Sequence, residues 1–327
     1  MEQQKQIFYN LTDFLNSEPS SNTNVNLYLN QKQINDEDLL NLSSILEKCN
    51  NLQTFALQLT RNIFGTQGVS SLGSALVNCH SLQSLDINFY YNLINAQCVS
   101  DFISSLEKCA HLQKLSLYAD CKVDEQTPQN MYSSLANCRN LSSITLYLED
   151  SNIGDQQISN LGFALMNRSQ LSTFKIYLYK NNIGPQGILN LGSALKTCPY
   201  LKKLVLNLST NQIGDKGISD LGSCLLSFPN LSQLKLNLNQ NQIGEQGVRE
   251  LFFALTNCNN LYSFDFKFGI LTSAQDIFQN LCSGLCKFIR LQKLKIKLIN
   301  DLNHTQKNKL RAKIWKMKRL VVKKLFL

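Results

Sequence analysis

The sequence has little of what catalysis uses. It holds three histidines, His80, His111 and His304. His80 and His111 stand just ahead of a recurring leucine, where solvated loop residues are expected. No Cys-x-x-Cys pair occurs, and Cys282 and Cys286, four apart on an expected helix, read as packing residues rather than half a zinc site. Carboxylates are scattered, with no nucleophile, base and orienting group that a fold would gather. Nothing calls for a metal or a cofactor, and the chain reads as non-enzymatic. Charge is scarce at 17 % of residues, yet 43 % are apolar, which excludes disorder for most of the chain. No apolar run approaches the roughly 18 residues of a spanning helix. The opening MEQQKQIFYNL carries Glu2 and Lys5 and does not read as a signal peptide.

Cysteine, by contrast, is plentiful, but its placement argues against a disulfide framework. Cys49, Cys79, Cys109, Cys138, Cys198 and Cys258 recur at one slot of a repeat, held by Arg168, Phe228 and Phe288 in other copies. A slot that accepts Cys or Phe is a packing position, and free cysteine packs as a small hydrophobe. The chain therefore reads as intracellular and reduced, with a cytoplasmic location expected.

The repeat itself is the strongest signal. Leucine recurs at Leu52, Leu82, Leu112, Leu141, Leu171, Leu201, Leu231, Leu261 and Leu291, thirty residues apart except for one step of twenty-nine. The copy LKKLVLNLSTNQIGDKGISDLGSCLLSFPN, from Leu201, shows the pattern best. Leu204, Leu206 and Leu208 alternate with polar residues, as in a strand with one buried face. Asn211 and Ile213-Gly214 follow as a turn. Ile218, Leu221, Leu225 and Phe228 then mark one face of a helix. A lone strand–turn–helix unit cannot bury its apolar face, so neighbours must stack and share a core.

The string L-x-x-L-x-L-x-L-x-x-N-x-I-G-x-x-G resembles the ribonuclease-inhibitor-type leucine-rich repeats. The resemblance implies an α/β fold, a right-handed horseshoe solenoid with a concave parallel sheet and outer helices. Repeats are expected over residues 22–300, a capping segment over 1–21 and a basic cap over 301–327. In that family, amides such as Asn62, Asn92, Asn181, Asn211 and Asn241 form a ladder to backbone groups of adjacent turns. Gly184, Gly187, Gly214, Gly217, Gly244 and Gly247 are expected as turn glycines. The copy from Leu112 lacks its Asn and Gly, so a distorted turn is expected over Cys121 to Gln126, with a helix restarting at Pro128 behind a Thr127 cap. Ile7, Leu11 and Phe14 suggest a short capping helix at the beginning.

Partner binding falls to the variable strand positions, which face the concave side. One such row reads Tyr28, Gln58, Asn88, Tyr118, Tyr147, Tyr177, Asn207, Asn237, Lys267, Lys297. Adjacent strands lie about 4.8 Å apart, so Tyr118, Tyr147 and Tyr177 are expected to stack, with Tyr90, Tyr91 and Tyr179 flanking them. Tyrosine suits any strand surface, but it is also enriched at binding hot spots. Further along, the face turns basic at Lys235, Lys267, Lys293, Lys295 and Lys297.

Acidic residues cease after Asp301, while nine lysines and arginines follow; without these the chain has 23 basic and 23 acidic residues, so the whole formal charge of +9 resides there. Lys307, Lys309, Arg311, Lys313, Lys316, Lys318 and Arg319 surround an apolar stripe of Leu310, Ile314, Met317 and Val321. A last helix over about 305–317 and a closing strand at LVVKKLFL are expected. These features point to a protein-interaction scaffold or a structural subunit of an intracellular assembly, gripping a protein on its concave face. The alternatives are a binder of polyanions through the basic end (acidic tubulin tails, RNA or acidic lipid) and a GTPase regulator. Acidic protein ranks above membrane and nucleic acid, because the basic end has little aromatic interleaving beyond Trp315 and Phe326. Ribonuclease-inhibitor-type repeats occur in inhibitors, GTPase-activating proteins and cytoskeletal or ciliary assemblies, which extends the expectation to the cytoskeleton and cilium.

Overall fold

A computed structural model describes residues 5–120, 132–269, 284–285, 288, 290–299, 304–317 and 320–326. The chain divides into two compact units, Met1–Ser151 and Asn152–Leu327. Each is built from the repeat that the sequence announces, a short parallel strand followed by a helix.

In the first unit the strands are β1 (Gln6–Phe8), β2 (Asn24–Tyr28), β3 (Thr54–Gln58), β4 (Ser84–Asn88), β5 (Lys114–Tyr118) and β6 (Ser143–Tyr147). Each pairs in parallel with the next in chain order. The helices are α1 (Leu11–Leu15), α2 (Asp36–Leu46), α3 (Thr66–Asn78), α4 (Ala96–Ser105) and α5 (Ser133–Asn137). The second unit has β7 (Thr173–Tyr177), β8 (Lys203–Asn207), β9 (Gln233–Asn237), β10 (Ser263–Gly269), β11 (Lys293–Ile299) and β12 (Val322–Phe326), again parallel in chain order. Its helices are α6 (Asp155–Leu165), α7 (Pro185–Leu195), α8 (Gly214–Leu225), α9 (Glu245–Thr256) and α10 (His304–Lys316). This is the α/β solenoid fold of leucine-rich repeats. None of the described helices is long and apolar enough to cross a membrane.

Alternation and helical spacing produce this fold because each repeat offers two apolar faces. Leu204, Leu206 and Leu208 are buried from the strand side, and Ile218, Leu221 and Leu225 from the helix side. Each such side chain contributes about 2 kcal/mol of burial. Cys49, Cys79, Cys138 and Cys198 are buried at the recurrent slot, whereas Cys109 and Cys258 are half-buried, and all six are free thiols. The slot is not purely apolar. The Cys79, Cys109, Cys198 and Cys258 thiols reach the carbonyl oxygens of Leu46, Leu76, Leu165 and Leu225, at 3.3, 3.6, 3.1 and 3.5 Å. Those carbonyls belong to the preceding repeat's helix end, which lacks intrahelical donors. Arg168, Phe228 and Phe288 are buried at the same slot in other copies, so a donor is accepted there but not required.

The turn amides form the ladder. Asn211 Nδ2 donates to the carbonyls of Leu178 and Leu208 at 2.9 and 3.0 Å, while its Oδ1 accepts from the Ile183 amide at 3.0 Å. Asn62 does the same with Leu29, Leu59, Lys32 and Ile34. Asn92 and Asn241 donate to the carbonyls of Leu59 and Leu208, and Asn181 accepts from the Ile153 amide. One amide thus satisfies donors and acceptors of two successive turns.

Three expectations need correcting. Gly187, Gly217 and Gly247 are not turn residues but sit in the first turns of α7, α8 and α9. Asp155 and Asp215, in the first turns of α6 and α8, send a carboxylate to the next helix start, accepting from the Gly184 and Gly244 amides, both at 2.6 Å. A Cβ on Gly187 or Gly247 would lie 2.6 Å from that carboxylate oxygen and 3.0 or 2.9 Å from the aspartate Cα. Glycine is therefore required by close approach, and the aspartate favours the positive helix end. Second, Ile7 belongs to a strand rather than to the capping helix; α1 covers only Leu11–Leu15 and buries Phe14. Third, Val321 is 78 % exposed and does not continue the buried stripe of Leu310, Ile314 and Met317, because α10 has ended by Lys316. The turn from Cys121 to Gln126, the helix start at Thr127-Pro128, and Cys282 and Cys286 lie outside the described residues.

Candidate functional site

The sheet of each unit has a helix-covered face and an open one; the strand candidates are on the open faces, and the basic candidates from Lys307 to Lys316 are on α10. In the first unit the register pairs Tyr28 with Gln58, Gln58 with Asn88, Asn88 with Tyr118, and Tyr118 with Tyr147. The Tyr118 and Tyr147 rings stack with centroids 4.0 Å apart and planes 9° apart. Tyr90 meets Tyr118 edge-on at 6.2 Å and leans on Tyr91 at 5.9 Å. The Arg61 guanidinium lies 5.3 Å from the Tyr91 ring centroid, a cation–π contact. Tyr91 itself has a left-handed backbone, φ 59°, and its amide donates to both Asp120 carboxylate oxygens at 3.1 Å. This tie to the neighbouring repeat compensates the strained backbone conformation.

The central rings are less exposed than free strand tyrosines would be. Tyr118 and Tyr147 cover one another and are half-buried, while Tyr91 is 62 % exposed. Tyr90 is half-buried, and burial followed by the Glu149 charge pushes its phenol pKa well up. Sequence reasoning missed Asp86, which stands on the same open face. Burial holds its carboxyl above the usual range, while Gln58 Nε2 donates to it at 2.8 Å. It also missed the Tyr9–Tyr28 stack, at 5.7 Å, because the helical spacing of Ile7, Leu11 and Phe14 hides the strand that brings Tyr9 beside Tyr28.

In the second unit Tyr177 ends β7 and is half-buried, with Tyr179 exposed just beyond it. Lys235 and Lys297 are exposed, and Lys267 and Lys295 are half-buried. Lys295 Nζ lies 3.5 Å from Asp265 and 5.7 Å from the Phe326 ring centroid. On α10, Lys309, Arg311 and Lys316 are exposed and Lys307 is half-buried. Lys318 and Arg319 lie outside the described residues, as does the side chain of Lys313. Trp315 is exposed, and Lys323 reaches over its ring at 5.1 Å. Among the described residues no group of three or more His, Cys, Asp or Glu could hold a metal ion.

A strand, an amide-bearing turn and a helix, renewed every thirty residues, define a strand–helix repeat protein whose open sheet face displays its variable side chains. A family model described as a leucine-rich repeat matches residues 198–222. That match falls on one strand–turn–helix copy, and the thirty-residue repeat of which it is part is of the leucine-rich type. Among solved structures the chain is similar to the actin-binding site 2 of leiomodin-1, at 15 % identity over 58 % of this chain and 95 % of that one, with a TM-score of 0.37. It is also similar to a chain of the Rad7–Elc1 complex of yeast, at 15 % identity over 83 % of this chain and 80 % of that one, with a TM-score of 0.36. A search of curated proteins finds no match.

Proposed function

We propose that this protein is a non-enzymatic, intracellular interaction scaffold or structural subunit of the ribonuclease-inhibitor-like type, which binds a protein partner on the open face of its sheet. The observation that carries this reading is the aromatic cluster of Tyr118, Tyr147, Tyr90 and Tyr91 on one open face, with two rings stacked at 4.0 Å. Rings already held by one another lose little side-chain freedom on docking, and tyrosine anchors are typically worth ~2 kcal/mol or more. Cross-linking in native extract followed by measured affinity of the recovered partner tests it. Tyr147→Ala is expected to weaken binding by about tenfold or more, with the overall fold retained. Tyr262→Ala, ahead of β10, is expected to change it little. A partner cross-linked only through helix surfaces, with full affinity for Tyr147→Ala, overturns the assignment.

A second reading is favoured by α10, which buries Leu310 and Ile314 and turns Lys309, Arg311 and Lys316 to solvent. Such a helix closes the core and presents a basic outer face to an acidic protein surface. Binding through it weakens as salt rises, because exposed charges are screened.

A further inference from the structure

On the second unit's open face, basic side chains gather without matching acidic ones. Lys175, Lys203 and Lys235, from β7, β8 and β9, line a depression of about 270 Å³ together with Tyr177, Val205 and Asp265. Lys175, Val205 and Lys235 are successive partners in register. The two lysines therefore stand two strands apart, roughly 10 Å. Lys203 enters from the intervening strand, two residues before Val205. Among the described residues no carboxylate lies within ion-pair distance of these three. Asp265, the carboxylate in the depression, is engaged with Lys295 at 3.5 Å. Burial, and then the neighbouring charge of Lys203, hold Lys175 below the usual lysine range. Three amines thus share one concavity whose one lining carboxylate, Asp265, is turned to Lys295.

We propose that this depression is a docking site for an extended acidic segment of a partner protein, a proposal that rests on the open face being the interaction surface. Charge complementarity is the first argument. The second is spacing. An extended chain places same-side carboxylates about 7 Å apart, and lysine stems flex enough to span the remaining distance. The third is the kind of anion, which the aromatic and guanidinium content of the lining decides, since Asp265 repels phosphate and carboxylate alike. Tyr177 is the sole aromatic in the lining, and no arginine is there to stack on a base. These features favour an acidic peptide over a nucleic acid.

The test uses the full chain and a fluorescent peptide of alternating glutamate and serine, with a lysine–serine peptide and oligothymidylate as comparisons. The glutamate peptide is expected to bind, and to bind less as salt rises. The triple variant Lys175→Gln, Lys203→Gln, Lys235→Gln is expected to lose about tenfold or more in affinity. Arginine at the same three positions retains binding, which separates lost charge from lost fold. Lys32→Gln with Lys48→Gln, exposed lysines of the first unit outside either proposed surface, leaves peptide affinity unchanged. Equal affinity of the glutamine triple variant and the native chain overturns the proposal, as does no binding of the peptide at low salt. Tighter binding of oligothymidylate than of the peptide overturns it in favour of nucleic acid. Tyr147→Ala is a separate arm: a null result there with a native partner refutes the aromatic reading and leaves the peptide result standing.

Discussion

Asn211→Ala is expected to destabilise the second unit by about 3 kcal/mol or more, through loss of partners rather than loss of packing. The amide is buried and bonds the carbonyls of Leu178 and Leu208 and the amide of Ile183. Alanine leaves these backbone groups where water enters poorly, and each unsatisfied buried group costs ~1–3 kcal/mol. Asn211→Asp is expected to be nearly as harmful, since it keeps the acceptor but sets a carboxylate against two carbonyl oxygens. Asn239→Ala, outside the ladder, is expected to stay within about 0.5 kcal/mol of the native chain. Urea unfolding followed by circular dichroism checks all three. An Asn211→Ala midpoint equal to the native one would refute the ladder's energetic role.

The second large effect concerns the buried thiols. Burial, followed by the charges of neighbouring groups, pushes Cys79 and Cys98 from 9.0 up to about 12. The sign follows from proton binding. Below about pH 9 both folded and unfolded thiols are protonated, and the full stability is present. Between about pH 9 and 12 the unfolded chain loses these protons while the folded chain keeps them, so alkali favours unfolding. Each thiol is expected to remove roughly 1.4 kcal/mol of stability per pH unit in that window. Replacing Cys79 and Cys98 by serine flattens this dependence, which urea midpoints between about pH 8 and 11 measure. In the native state near pH 8 these thiols are expected to resist a disulfide reagent and to react rapidly in denaturant. Fast native reaction at Cys79 would contradict its burial.

Much of this was legible in the residues. Leucine at thirty-residue intervals, Leu204-Leu206-Leu208 alternating, and Ile218, Leu221 and Leu225 on one helical stripe name the strand and the helix. The Asn slot was legible because an amide recurring among core leucines has no role there other than bonding backbone. The pairing of Tyr118 with Tyr147 followed from counting register, since both close their strands at equivalent places. The sequence also showed that the charge gathers beyond Asp301 and along the last strands.

What it could not show lies between repeats rather than within them. Nothing in the sequence singles out Asp155 or Asp215, and Gly187 and Gly247 read as turn glycines, whereas stacking brings each aspartate onto the next helix start. Likewise Lys175, Lys203 and Lys235 are separated in sequence, and only the parallel register brings them to one depression. That Asp265 turns to Lys295 rather than to Lys235 is also a matter of side-chain direction. The physical reason is one of range. Periodicity in the sequence fixes which face of its own strand or helix a side chain takes, because backbone geometry alone imposes that direction. Contacts across about thirty residues depend on how neighbouring repeats seat against one another, and only the packed core decides that.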